Sequence, residues 1–176
     1  MLEEQRLDTR IHDCAAFESG VAALDDYLRK FASQHRRRGV SQTYVLVDSA
    51  ASTRILGYYT LSAAQLEAGS LSDTERKRLP RHPIPCIRMG RLAVNLPGRG
   101  QGHGRLLIGL AVERCLKARD EVAAYALVVD AKDEHAVSFY QHYGFTACRD
   151  APRTLYLALG SGPWRGPAAH GRIDRP

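Results

Sequence analysis

The sequence predicts an α/β domain of the α+β kind, a central mixed, mostly antiparallel sheet with flanking helices, and three observations carry that prediction. Residues 43–47 and 55–61 are rich in β-branched and aromatic side chains and are separated by Ser, Ala and Asp, so they read as an antiparallel hairpin. The strand-like run 87–94 enters Gly98, Gly100, Gly102 and Gly104, four glycines within seven residues. It leaves as a helix to about Lys117, with Leu107, Leu110, Ala111 and Cys115 at helical spacing. The unbroken apolar run 125–129 then reads as a buried strand, so strand, helix and strand form one right-handed crossover with parallel strands.

In chain order, residues 6–11 can form a first edge strand. Ser19 is placed to cap a helix whose Leu24, Tyr27, Leu28 and Phe31 recur at i, i+3, i+4, i+7 and bury one face. That helix runs into Arg36, Arg37 and Arg38 and stops at Gly39. The cationic run is either a solvated face or a phosphate-contacting patch. After the hairpin, residues 66–85 form a long polar connection over one face of the sheet, with Arg76, Lys77, Arg78, Arg81 and three prolines. Beyond the crossover, residues 136–143 are a short helix ended by Gly144, and 154–159 a last strand. A single domain thus spans 1–159, and the Gly/Pro-rich stretch 160–176 reads as a disordered tail.

At 176 residues and 44% hydrophobic content the chain is the size of one domain and can bury a core. No apolar run approaches a membrane span and no secretory leader is visible, which predicts a soluble, cytoplasmic protein without membrane association. Cys14, Cys86, Cys115 and Cys148 are far apart, as reduced thiols would be, and neither they nor the seven histidines show ligand spacing, so no metal is expected. A net charge of +6 and a pI near 9.4 favour a polyanionic partner, nucleic acid or acidic protein.

Glycines this dense before a helix let several backbone N–H groups converge on one anion at the positive helix end, so the loop reads as a phosphate cradle. No Lys-Ser/Thr pair follows it, and no three of its glycines keep the spacing G-x-G-x-x-G. Arg99-x-x-Gly102-x-Gly104 instead matches the Q/R-x-x-G-x-G/A pyrophosphate loop of GNAT acyl-CoA N-acetyltransferases. More specifically the chain resembles the GNAT toxins of bacterial toxin–antitoxin modules, the TacT and AtaT kind, over nearly all of its length. The resemblance is carried by Leu24-Asp25-x-x-Leu28, Ser41-x-Thr43-Tyr44-Val45, the run 57–62, Ile84-Pro85, Gly90-Arg91-Leu92-Ala93-Val94, and the run 129–133 before Ala136-x-x-Phe139-Tyr140-x-x-Tyr143-Gly144-Phe145. Asn95 departs from it, standing where these toxins usually place an acid.

The resemblance implies a twisted sheet of six to seven strands with about four helices, splayed between its fourth and fifth strands, and acetyl-CoA as cofactor. It assigns the pantetheine arm to Leu92, Ala93 and Val94. The pyrophosphate falls to Arg99, Gly100, Gln101, Gly102, His103, Gly104 and Arg105, with Asp133 and Ser138 as further cofactor contacts. Tyr140 resembles the GNAT tyrosine that protonates the departing CoA thiolate; its other reading is a core aromatic of the 139–143 cluster. A phenol of pKa about 10 is protonated at neutral pH and can serve a thiolate of pKa about 8.5.

No carboxylate or histidine is marked by spacing as a general base. At pH 7 an α-amine of pKa about 7.7 is unprotonated roughly one time in six, a lysine of pKa about 10.4 only about once in 2,500, so an α-amine suits an enzyme without a strong base. These GNAT toxins acetylate the α-amine of aminoacyl-tRNA and block translation. By resemblance the substrate tRNA would meet Arg36, Arg37, Arg38, Arg76, Lys77 and Arg78, a ribbon-helix-helix antitoxin would be a partner, and a homodimer the assembly. A GNAT acting on a small amine or protein N-terminus, and a CoA-binding module without turnover, are the alternatives.

Overall fold

The computed structural model describes residues 1–160 and builds them around one sheet of seven strands. These are β1 (Leu2–Arg6), β2 (Gln42–Asp48), β3 (Ala51–Leu66), β4 (Ile84–Val94), β5 (Ala126–Asp130), β6 (Thr146–Ala147) and β7 (Thr154–Ala158). Across the sheet they run β1-β2-β3-β4-β5-β7-β6. Every neighbouring pair is antiparallel except β4 and β5, the parallel pair that the crossover demands. The helices are α1 (Ala22–Asp26), α2 (Ala32–Arg37), α3 (Asp73–Arg76), α4 (His103–Ala118) and α5 (Glu134–His142), with α1 and α2 joined through a π-helical turn, Tyr27–Phe31. The expected tail, beyond Gly160, lies outside the described residues.

Alternation along the strands divides the apolar residues between the two faces. Tyr59, Leu61, Met89, Leu127 and Val129 pack under α4 and α5. On the other face, Val45, Val47, Ile55, Tyr58 and Ala93 meet Tyr27, Leu28 and Ala32 of the first helical segment, while Cys86, Ala126, Val128 and Tyr156 lie under Leu71 of the 66–85 connection. Because β5 is covered on both faces, Ala126 through Val129 are each fully buried, which is why its sequence shows no alternation.

Three expectations are corrected. The first strand lies at Leu2–Arg6, not at 6–11. Glu4 on it accepts from the Tyr59 hydroxyl and from Arg114, whereas Asp8 and His12 close a local turn through Asp8 N to His12 Nδ1 at 3.0 Å and His12 N to Asp8 O at 2.8 Å. Ser19 does not cap the helix: the N-cap is Val21, and the Ser19 hydroxyl donates to the buried Asp25 carboxylate, which also accepts the Ser19 amide at 2.9 Å. Phe31 is 45% exposed because the π turn adds a residue to the helical repeat and puts Ala32 on the buried face in its place. The 66–85 connection lies over one face of the sheet as expected, and it is held there by a short helix. Ser72 caps α3 and donates to Glu75, and Glu75 also accepts the hydroxyls of Tyr125 at 2.8 Å and Tyr156. Burial opposes ionisation of that carboxyl, but the hydroxyls outweigh it and hold Glu75 below the usual carboxylate range.

Candidate active site

The site arises where β4 and β5 part. They pair from Cys86 with Ala126 to Met89 with Val129, and no further. At that point Thr60 pairs with Arg91 and Leu61 with Met89, leaving Gly90 as an extra residue in β4. Such a bulge bends the strand that carries it and ends regular pairing. Residues 91–94 therefore keep their ladder to β3 but present a free edge toward α5, and a cleft of about 430 Å³ opens there.

Leu92, Ala93 and Val94 line one wall of this cleft, Phe139 and Tyr140 of α5 the other, and Arg99 closes one end. Tyr140 packs edge-on against Phe139 at 5.4 Å and tilted against Phe145 at 5.5 Å between centroids. Its hydroxyl has no hydrogen-bond partner among the described residues. Burial, and secondarily the Asp130 carboxylate, push the phenol up to about 12, so it stays protonated across the physiological range.

The glycine loop sits at the far end of the free edge. Gly100 and Gly102 hold φ of 78° and 79°, left-handed conformations that favour glycine. Gly102 is the N-cap of α4 and makes no side-chain cap bond, and the first helical bond runs from Leu106 N to Gly102 O at 3.0 Å. The amides of 103–105 consequently lack intrahelical acceptors at the positive end of a sixteen-residue helix. Free edge and open amides fit an extended diamide arm ending in a pyrophosphate.

Other expected contacts fall differently. The His103 side chain is 7% exposed and folded beneath Gly98, where a Cβ would come 2.5 Å from its Nδ1, so only its backbone faces the loop's open side. Gln101 donates to the Pro97 carbonyl at 3.1 Å, and Arg99 to the Ser19 carbonyl at 2.5 Å. Gly102 and Arg105 line an adjoining groove on the outer face of α4. Asp133 caps α5 by accepting Ala136 N at 2.8 Å, and Ser138 is exposed on α5. Neither of them lines the cleft.

The cationic candidates lie apart from the cleft. Arg36 donates to the Leu7 carbonyl and Arg37 to Ser33 Oγ, each at 3.1 Å, while Arg38 is exposed at the end of α2. Arg76 pairs with Asp73 at 3.2 Å, and with Lys77 it lines a separate recess, next to the exposed Arg78. No group of three or more potential metal ligands occurs among the described residues, and no helix among them is long and apolar enough to cross a membrane. Sequence reasoning missed Arg91, Lys132 and His135, which line the cleft. Only strand alternation around Arg91 could have marked any of them.

Residues 18–154 match the Acetyltransferase (GNAT) domain family. The chain is 33% identical over 147 residues to a tRNA-acetylating toxin of Mycobacterium tuberculosis, covering 84% of this chain and 86% of the relative. Among solved structures it resembles AtaT complexed with acetyl-methionyl-tRNA, with a TM-score of 0.84 and 28% identity, covering 90% of this chain and 95% of the other. It also resembles a mutant AtaT toxin bound to the C-terminus of the antitoxin AtaR and acetyl-CoA, with a TM-score of 0.76 and 26% identity, covering 90% and 93% of the two chains.

Proposed function

The chain belongs to the GNAT acetyltransferase family, and from that premise we propose that it is an acetyl-CoA-dependent toxin that acetylates the α-amine of aminoacyl-tRNA and so blocks translation. The observation that carries this reading is the free β4 edge, residues 91–94, with Tyr140 facing it and the glycine loop at its end. Acetyl-CoA, when bound, supplies the acetyl group as a thioester. Backbone groups of Leu92 and Val94 hold the pantetheine amides as an added strand would, and the amides of 103–105 with Arg99 take the pyrophosphate. For Arg99 this means exchanging the Ser19 carbonyl for phosphate oxygens.

Tyr140 Oη holds the proton that the leaving thiolate requires, and its raised pKa keeps that proton in place across the physiological range, where the acceptor amine becomes neutral. The acceptor brings its own nucleophile as an unprotonated α-amine, whose proton leaves to solvent as the new N–C bond forms. Asp130, the acid lining the cleft, is engaged by Arg88 and by Thr154 Oγ1 at 2.9 Å, which argues against a general base there. The nucleic acid would lie across the basic segments, Arg36 to Arg38 and Arg76 to Arg78, through phosphate contacts. We place the protein in the cytoplasm as a homodimer held in check by a ribbon-helix-helix antitoxin; the complex of the similar AtaT with AtaR supports an antitoxin as partner.

Incubation with labelled acetyl-CoA and a mixture of charged tRNAs tests the reading, with label followed separately in RNA and protein. Label at the aminoacyl end is expected. Label absent from RNA but present on a protein N-terminus or a small amine would transfer the assignment to those acceptors.

A further inference from the structure

The cleft carries a charge arrangement that neither the glycine loop nor Tyr140 accounts for. Arg91 follows the Gly90 bulge, and its guanidinium carbon lies 3.6 Å from the centroid of the Tyr27 ring. Tyr27 belongs to the π turn, is 3% exposed, and shares a 2.8 Å hydrogen bond between its hydroxyl and Ser41 Oγ, so the platform beneath the guanidinium is fixed. An aromatic face holds a cation without neutralising it. Arg91 forms no ion pair among the described residues. Arg99 and Lys132 line the same cleft, and Asp130 is already paired with Arg88. The buried Asp25 accepts from Ser19 rather than from Arg91 and does not line the cleft. Among the cleft-lining residues Arg91, Arg99 and Lys132 outnumber the one acid, Asp130, so net positive charge faces whatever amine approaches the free β4 edge.

A fixed cation repels an incoming ammonium and favours the neutral form of an amine beside it. We infer that Arg91, seated on Tyr27, is a charge filter for the acceptor: it excludes cationic amines such as polyamines and lysine side chains, and admits weakly basic amines carried on an anionic scaffold. This rests on the reading of the cleft as the acetyl-transfer site and names what that site rejects. The role is one of specificity, separate from the proton held by Tyr140.

The test compares spermidine with an amino-acid methyl ester, whose amine is largely neutral at pH 8, in wild type, Arg91→Gln and Arg91→Lys. Arg91→Gln should raise kcat/KM for spermidine about tenfold relative to the ester, the size expected from removing one like charge at about 10 Å in a half-exposed cleft. Arg91→Lys, which keeps the charge, should stay close to wild type. Calorimetric titration of spermidine without acetyl-CoA should show binding tightened by a similar factor in Arg91→Gln alone. Damage to packing would lower both acceptors together, so only a filter predicts an absolute gain for spermidine. Where Gln does not fold, Arg91→Met, which keeps an aliphatic stem over Tyr27, takes its place. An unchanged or reduced spermidine value in the neutral variants, or a gain shared by Arg91→Lys, overturns the filter. Wild type that leaves charged tRNA unlabelled in parallel tubes overturns the proposed substrate instead, and the spermidine ratio still decides the filter.

Discussion

Replacing Tyr140 with Phe removes one oxygen, and the surroundings of that oxygen set the size of each consequence. The ring is 8% exposed and held between Phe139 and Phe145, contacts that phenylalanine keeps. The hydroxyl has no partner among the described residues, so its loss orphans no buried donor or acceptor. Stability should change by less than about 1 kcal/mol, a shift of roughly 2–4 °C at most for a domain of this size. The acetyl-CoA-induced rise in melting temperature should survive, because neither the β4 edge nor the loop is touched. Turnover should fall by about 10² to 10⁴-fold, the usual worth of a positioned acid. Wild-type rates should rise as the acceptor amine deprotonates and show no loss assignable to the phenol below about pH 10, since its folded pKa is pushed up to about 12. The same shift has a sign in stability: between pH about 10 and 12 the unfolded phenol ionises while the folded one does not. The contribution is therefore present at lower pH and lost as pH rises, and Tyr140→Phe should lack that loss. Single-turnover transfer from labelled acetyl-CoA, with melting curves in parallel, makes the measurement. Near-normal transfer in the variant would reduce Tyr140 to a packing residue, and loss of the acetyl-CoA shift would mean that the substitution damaged the binding site.

The loop and the basic segments make separate predictions. At Gly102 a Cβ would meet open space, so Gly102→Asp bears only the cost of a φ of 79°, roughly 1 kcal/mol or less for Asp, and the fold should persist. A carboxylate at the positive end of α4 should nevertheless abolish the acetyl-CoA melting shift, and a retained shift would remove the loop from the argument. Changing Arg36, Arg37 and Arg38 together to Glu should suppress acetylation of charged tRNA while sparing acetyl-CoA binding. The salt slope of tRNA binding should shrink by about one per lost phosphate contact, and an unchanged slope would assign the tRNA to another surface.

Much of the fold and part of the candidate site were legible because they depend on local chemistry. The hairpin β2–β3 reads from β-branched runs, the buried strand β5 from an unbroken apolar run, and the loop that opens α4 from glycines ahead of an apolar helical run. Tyr140 was legible only through resemblance to a family, since by spacing alone it is one aromatic among Phe139, Tyr143 and Phe145. The ordered 66–85 connection was half legible. Ser72-x-x-Glu75 is a capping box in the sequence, but the bonds from Tyr125 and Tyr156 join residues 50 and 81 positions away from Glu75. Asp133 and Ser138 could not be placed from sequence, because whether a polar residue at a helix start caps that helix or faces a ligand depends on tertiary geometry.

What periodicity cannot show is an inserted residue, and two insertions border this cleft. The Gly90 bulge adds one residue to β4 where it leaves β5. The π turn adds one to the first helical segment where Tyr27 rises under Arg91. Each breaks a regular repeat, and regular repeats are what sequence patterns report. Each also performs a task that an unbroken element would not. A continuous β4 would stay alongside β5 as far as Asp130 instead of parting from it after Met89. A continuous α-helix would put Phe31 rather than Ala32 on the buried side and turn later residues of the segment about its axis. The cleft is thus bordered by an irregular strand that carries Arg91 and by an irregular helix on which Arg91 rests. Departures from local regularity concentrate at sites for this reason: a regular element satisfies its own hydrogen bonds and leaves none for a ligand.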